Sequence, residues 1–309
     1  CLPGRPRLSG AFLFWRSFLM QSVSTMLKNE NRLGWRLVSP TVILLMILIL
    51  YPVAYNIYIS FFDYGITRST FVGIDNYLRV LKDGAFWKSF FITVGFTLMT
   101  VGGSLLLGLG VALMLNKEFK GRSIVRTIVL LPYITPLISI VFSWQYIFDP
   151  SLGPFVEIFG RQLRWISPQL DLLNNSNNAF IVASIFNIWR NFPFVYLMIL
   201  SRLQSIPDEY YEAAEMDGAS PWKKFTNITL PELYFVMGAV ALMRGIWNFY
   251  KFDEVYLISK KAGTLPIFIY ERVIGTTSPE FGVAAAIATI LMVIMLGLIT
   301  VYVKKVLKW

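Results

Sequence analysis

Six stretches of this chain stay apolar over the length that carries a helix across a bilayer, about 20 residues at 1.5 Å each. They run roughly over residues 37–60, 90–115, 124–148, 179–201, 233–258 and 282–303, separated by polar connections. The pattern predicts an all-α, polytopic membrane protein with six transmembrane helices. It divides the chain into an N-terminal segment (1–36), a transmembrane domain (37–304) containing a long polar loop (202–232), and a short tail (305–309). Residues 11–20 are apolar but too short to span. They read either as an interfacial amphipathic piece or as an upstream extension, with Met20 or Met26 as the start. Pro132 and Pro136 in the third stretch and Pro193 in the fourth predict kinks, because proline removes a helix hydrogen bond. Gly95, Gly102, Gly103, Gly108 and Gly110 in the second, and Ala284, Ala285, Ala286 and Ala288 in the sixth, predict close helix packing.

Composition supports this reading. Of 309 residues 56% are hydrophobic and 15% charged, against about 25% charged in soluble domains. The net charge of +10 would suit a nucleic-acid binder, but the basic residues flank apolar stretches, so orientation in a membrane explains them better. Lys and Arg number six in 1–36, four in 116–126, three in 202–232 and three in 304–309, against four, two and three in the alternate connections. Both termini and the 202–232 loop are therefore expected on the cytoplasmic side. A lipid-modified Cys1 would put the N-terminus outside, against that count. There is no His and one Cys, which excludes an intrachain disulfide, His/Cys metal centres and His-dependent triads. No phosphate-cradling G-x-x-x-x-G-K-[ST] occurs, so ATP has no P-loop here.

The 202–232 loop carries the most specific pattern. Glu212-Ala213-Ala214 is followed after three residues by Gly218 and after nine more by Ile228-Thr229-Leu230-Pro231. Pro207 can open a helix, and Asp208 and Glu209 place negative charge at its positive end. Gly218 can end it in the left-handed conformation. Ser220-Pro221 reads as cap and first turn of a second short helix, and Pro231 as a break before the next span. The arrangement resembles the EAA loop of binding-protein-dependent ABC importer permeases. Phe71-Val72-Gly73-Ile74-Asp75-Asn76-Tyr77, Gly121-Arg122-Ser123 with Leu130-Leu131-Pro132, Trp144 and Phe148, and Phe281-Gly282-Val283-Ala284-Ala285-Ala286 are similar to segments of the maltose-type carbohydrate permeases, in the same order. The resemblance covers about nine-tenths of the chain, from Asn31 onward. Lys260-Lys261-Ala262-Gly263 stands where that family usually has Gly-Gly-Pro.

The resemblance implies a bacterial inner-membrane permease subunit, not itself an enzyme and without cofactor, metal or nucleic acid. It implies a second homologous permease, two copies of a cytoplasmic ATPase and an extracytoplasmic solute-binding protein as partners. Glu212, Ala213, Ala214, Asp217 and Gly218 would couple to the ATPase.

Charges in mid-membrane are unfavourable by about 2.5–3.5 kcal/mol each even on insertion scales, and so point to function. Arg190, Arg244 and Lys251 fall inside the apolar stretches. Asn187, Arg190, Asn191 and Phe194 recur at i, i+3, i+4 and i+7, and Arg244, Trp247, Asn248 and Lys251 follow the same helical spacing. Amides bond hydroxyls in both directions and aromatic faces stack on sugar rings. The resemblance implies that Asn187, Arg190, Asn191, Phe194, Trp247, Asn248 and Lys251 line the sugar site. Arg190 and Lys251 are cations where the neutral-sugar permease has uncharged residues, which favours an acidic oligosaccharide of the uronic-acid type, such as alginate or pectin fragments. A sugar or glycerol phosphate, or a neutral oligosaccharide, is the alternative. Arg190 could instead form a structural bridge to Asp253 or Glu254, which otherwise read as gate or interface residues. A channel or secondary transporter would need no such loop, and no acidic mid-span residue is suited to carrying a proton.

Overall fold

The computed structural model of the protein describes residues 34–167 and 170–306. The expectations for residues 11–20 and Cys1 lie outside them. The chain divides into two units, Cys1–Ile59 and Ser60–Trp309. In the first, one helix runs from Gly34 to Ile59, with a π-helical turn at Met46–Leu50.

The second unit is built from the other apolar stretches. Continuous helices cover Gly84–Asn116, Ser176–Leu203, Pro221–Phe249 and Phe281–Lys304, all long and apolar enough to cross a membrane. The third stretch is not one kinked helix. It is a pair, Arg122–Ile134 and Leu137–Ile147, bent by 91°. The cause is local: Pro136 clashes with helical geometry at the preceding residue, and Thr135 is extended at φ −67°, ψ 137°. Pro132 and Pro193 are accommodated inside their helices.

The fifth stretch also departs from expectation at both ends. Pro231 does not break it: a π-helical segment, Phe225–Thr229, leads directly into Leu230–Phe249. The wider π-turn shifts the hydrogen-bond register where proline has no N–H to give. At the far end the helix stops at Phe249, and a separate short helix, Asp253–Ile258, follows. Lys251 therefore sits in a break, off the helical face that spacing assigned to it.

The second and fourth spans make the closest packing. A Cβ on Gly108 would lie 2.8 Å from Val195 Cγ1 and 3.0 Å from the Tyr196 backbone nitrogen, and one on Gly103 would lie 2.4 Å from Ile188 Cδ1. Gly102 and Gly110 face open space, so only part of the glycine cluster serves this contact. Three apolar clusters fill the unit. One joins Phe96, Val141, Phe186 and Val255; one joins Ala112, Tyr196, Ile199 and Leu233; the third joins Phe86, Phe249, Leu265 and Ile287.

A small hairpin, Phe62–Tyr64 paired with Ser69–Phe71, is antiparallel in the register Phe62↔Phe71. Asn76 holds it, donating from Nδ2 to the Ser60 and Phe62 carbonyls at 2.9 and 2.8 Å. Gly282 passes so close that a Cβ there would meet the Phe62 carbonyl oxygen at 2.0 Å. Two segments of the resemblance, 71–77 and 281–286, thus serve one packing joint.

Candidate functional site

The connection between the fourth and fifth spans folds as its residues dictate. Helix Asp208–Met216 follows Pro207, with Asp208 and Glu209 in its first turn. It ends in a Schellman arrangement. Gly218, at φ +72°, donates its N–H to Glu215 at 2.9 Å, and Ala219 donates to Ala214 at 2.8 Å. Asp217 is the closing residue, donating to Ala213 at 3.1 Å. Ser220 caps the next helix by accepting from the Lys223 N–H, with Pro221 in its first turn. Lys224 pairs with Glu215, so the two short helices brace each other.

No residue of Asp208–Met216 is buried, and its surroundings present large apolar side chains to the outside. Met216 is 89% exposed and Trp222 is 71% exposed. The base of the loop is clamped. Arg202, at the end of the fourth span, pairs with the Glu232 carboxylate and donates to its carbonyl at 3.1 Å. Tyr211 and Thr229 share a hydrogen bond of 2.9 Å.

The second constellation lies within the spans. Arg190 donates from Nε to Glu254 at 3.2 Å, and Lys251 pairs with the same carboxylate oxygen at 3.0 Å. Arg190 Nη1 also donates to the Pro132 and Thr135 carbonyls, at 3.3 and 3.1 Å. Pro136, four residues after Pro132, has no N–H to satisfy that carbonyl, so the guanidinium caps the broken helix end. Glu254 Oε2 is buried without a hydrogen-bond partner among the described residues.

Arg244 is 3% exposed. It donates to Asn248 Oδ1 at 3.2 Å and lies 5.9 Å from the Trp247 ring centroid. Asn248 in turn donates to Thr100 Oγ1 at 2.8 Å, tying the fifth span to the second.

The predicted stripe is brought together only in part. Asn187 and Asn191 are buried and donate back to their own helix, to the Ala183 and Asn187 carbonyls at 3.0 and 2.8 Å. Phe194 meets Trp247 at 6.1 Å between centroids, and Tyr133 meets Phe194 at 6.1 Å. Trp247 is 48% and Tyr133 40% exposed. Tyr133 and the shared role of Glu254 escaped the sequence reading. The signals were present: Tyr133 lies between two prolines, and Glu254 follows Lys251 by three residues.

Between two spans that carry buried cations, the chain thus presents an exposed, self-braced pair of short helices. Residues 104–308 match the family of the binding-protein-dependent transport system inner membrane component. The chain is 39% identical to the inner membrane ABC transporter permease protein YcjO of Escherichia coli K12, over 87% of this chain and 92% of that protein. It is 33% identical to the trehalose/maltose transport system permease protein MalF of Thermococcus litoralis, over 89% and 94%. A solved bacterial alginate ABC transporter, in complex with an alginate pentasaccharide-bound periplasmic protein, has a chain of the same fold. Its TM-score is 0.73, with 20% identity over 90% of this chain and 95% of that one. The protein belongs to the binding-protein-dependent transport system inner membrane component family.

Proposed function

We propose that this chain is one permease half of a carbohydrate ABC importer and moves its substrate by alternating access. The observation that carries the reading is the plug: the short helix Asp208–Met216, ended at Gly218 and flanked by exposed Met216 and Trp222. It projects Ala213, Ala214 and Glu212 for insertion into an ATPase on the cytoplasmic face. ATP-driven closure of two ATPases pulls on the plug, and the spans open to receive substrate from a docked binding protein. Hydrolysis resets them. Both termini lie on the plug side in this reading.

The path follows the exposed aromatic face of Tyr133, Phe194 and Trp247, completed by a second permease. Rings stack on sugar faces there. Asn187, Asn191 and Asn248 shape the face from behind as the helices repack, and Arg190 and Lys251 supply positive charge. That charge supports an acidic oligosaccharide over a neutral one. The names of the trehalose/maltose relative and of the alginate transporter support carbohydrate as the substrate class.

The test is ATPase stimulation in the reconstituted complex with its binding protein, comparing oligo-uronates with neutral maltodextrins of equal length. Stimulation by the acidic series is the expected result. Stimulation by neutral chains alone would sink the acidic-substrate reading and leave the importer reading standing. Silence with every sugar would remove the carbohydrate assignment.

A further inference from the structure

Glu254 is the carboxylate on which both Arg190 and Lys251 converge, on one oxygen, at 3.2 and 3.0 Å. The three side chains are only 11–16% exposed. Lys251 lies in the break between helices Leu230–Phe249 and Asp253–Ile258, and Glu254 in the first turn of the second. Arg190 also holds the Pro132 and Thr135 carbonyls, at the 91° break of the third span. One carboxylate thus ties together two interrupted helices through a residue of a third. Its second oxygen, Oε2, is buried and has no hydrogen-bond partner among the described residues, so this pairing leaves part of its bonding capacity unmet. Both cations pair with this one carboxylate.

We propose that Glu254 is an internal counter-ion that stands in for the substrate's anionic group: it occupies Arg190 and Lys251 in this conformation, and an arriving sugar carboxylate exchanges for it. The exchange rests on the importer reading above and makes Glu254 a specificity-determining residue. In the closed arrangement Glu254 shields the cations and latches the two breaks. When a carboxylate on the sugar takes over the cations, Glu254 is released and the breaks part. A neutral sugar offers nothing to exchange, so it opens the latch less readily.

The experiment uses the complete complex in proteoliposomes, with wild-type and Glu254→Gln permease, an oligo-uronate and a neutral maltodextrin of equal length. Co-purification reports assembly. Glu254→Gln is expected to raise ligand-free ATP hydrolysis roughly five- to tenfold and to shift half-saturation toward the oligo-uronate by about tenfold, because the cations lose their resident competitor. Half-saturation for the neutral chain improves less, because it gains from the open latch but not from the freed cations. If Glu254→Gln fails to assemble, Lys251→Gln with Glu254→Gln removes one charge of each sign and preserves the net charge. That pair should assemble with elevated ligand-free hydrolysis and with Arg190 still favouring the acidic chain. An assembled variant with wild-type ligand-free hydrolysis and wild-type selectivity would overturn the proposal. A wild-type complex stimulated only by neutral chains would refute the exchange, whereas one stimulated by neither sugar would refute the carbohydrate reading on which it rests.

Discussion

Buried Arg244 depends on a neutral partner. Its described hydrogen bond goes to Asn248 Oδ1, its Nε has no acceptor among the described residues, and the Trp247 face offers a weak electrostatic contact. Asn248→Leu would therefore strand the guanidinium and cut the link to Thr100 together. Hydrogen bonds to charged groups contribute about 1.5–3 kcal/mol, so the variant should melt clearly earlier in detergent and yield less assembled complex. An unchanged melting temperature would show that Arg244 finds another acceptor. The sequence spacing placed Asn187, Arg190, Asn191 and Phe194 on one face of the fourth span, and in the structure Asn187 and Asn191 are buried. A period of 3.6 residues identifies a face without saying which part of it meets a cavity. The i−4 carbonyl is always within reach of a helical asparagine, and here both amides take it.

At the scale of elements, breaks were harder to read than spans. Apolar length located every stretch, because lipid and core select on the same property. Proline alone did not say which helix would break. Pro193 and Pro231 lie within continuous helical segments while Pro136 bends its pair by 91°. At Pro136 the preceding Thr135 is extended, and Arg190 receives the carbonyls freed at that break. The two short helices of the loop were legible because their signals are local: Gly218 carries φ +72° as its position demands. Gly218→Val forces a β-branched residue into that conformation, unfavourable by about 1–2 kcal/mol. The permease pair should still assemble while retaining less ATPase on co-purification. Retention at the wild-type level would mean that the helix end is held by other contacts. Gly108→Val acts elsewhere, pressing on the Tyr196 backbone nitrogen at 3.0 Å. Overpacking of this kind is unfavourable by about 1–3 kcal/mol, and the loss should appear as reduced thermal stability of the isolated permease with no selective effect on ATPase retention.

Across the whole second unit, the fourth and fifth spans carry both constellations. Their cation-bearing parts meet at Glu254, and their other ends meet at the Arg202–Glu232 clamp below the plug. At the opposite end from the plug, Arg272 pairs with Asp83 and Glu280, and Glu280 with Arg79 at 2.9 Å, tying the short helices there to the sixth span. The clamp is more than one-third exposed on each side, so its contribution to stability should stay below about 1 kcal/mol. Its contribution to coupling should be large. Arg202→Gln is expected to leave melting and ATPase retention near wild type while ATP hydrolysis proceeds with little transport; normal transport per ATP would refute it. A mechanical consequence follows from where the clamp sits. Arg190 lies twelve residues before Arg202 on a continuous helix, a lever arm of about 18 Å. A tilt of about 10° with its fulcrum at Arg202 would sweep Arg190 through about 3 Å, as much as the length of its bond to Glu254. A small rocking motion at the plug is therefore geared to break one ion pair.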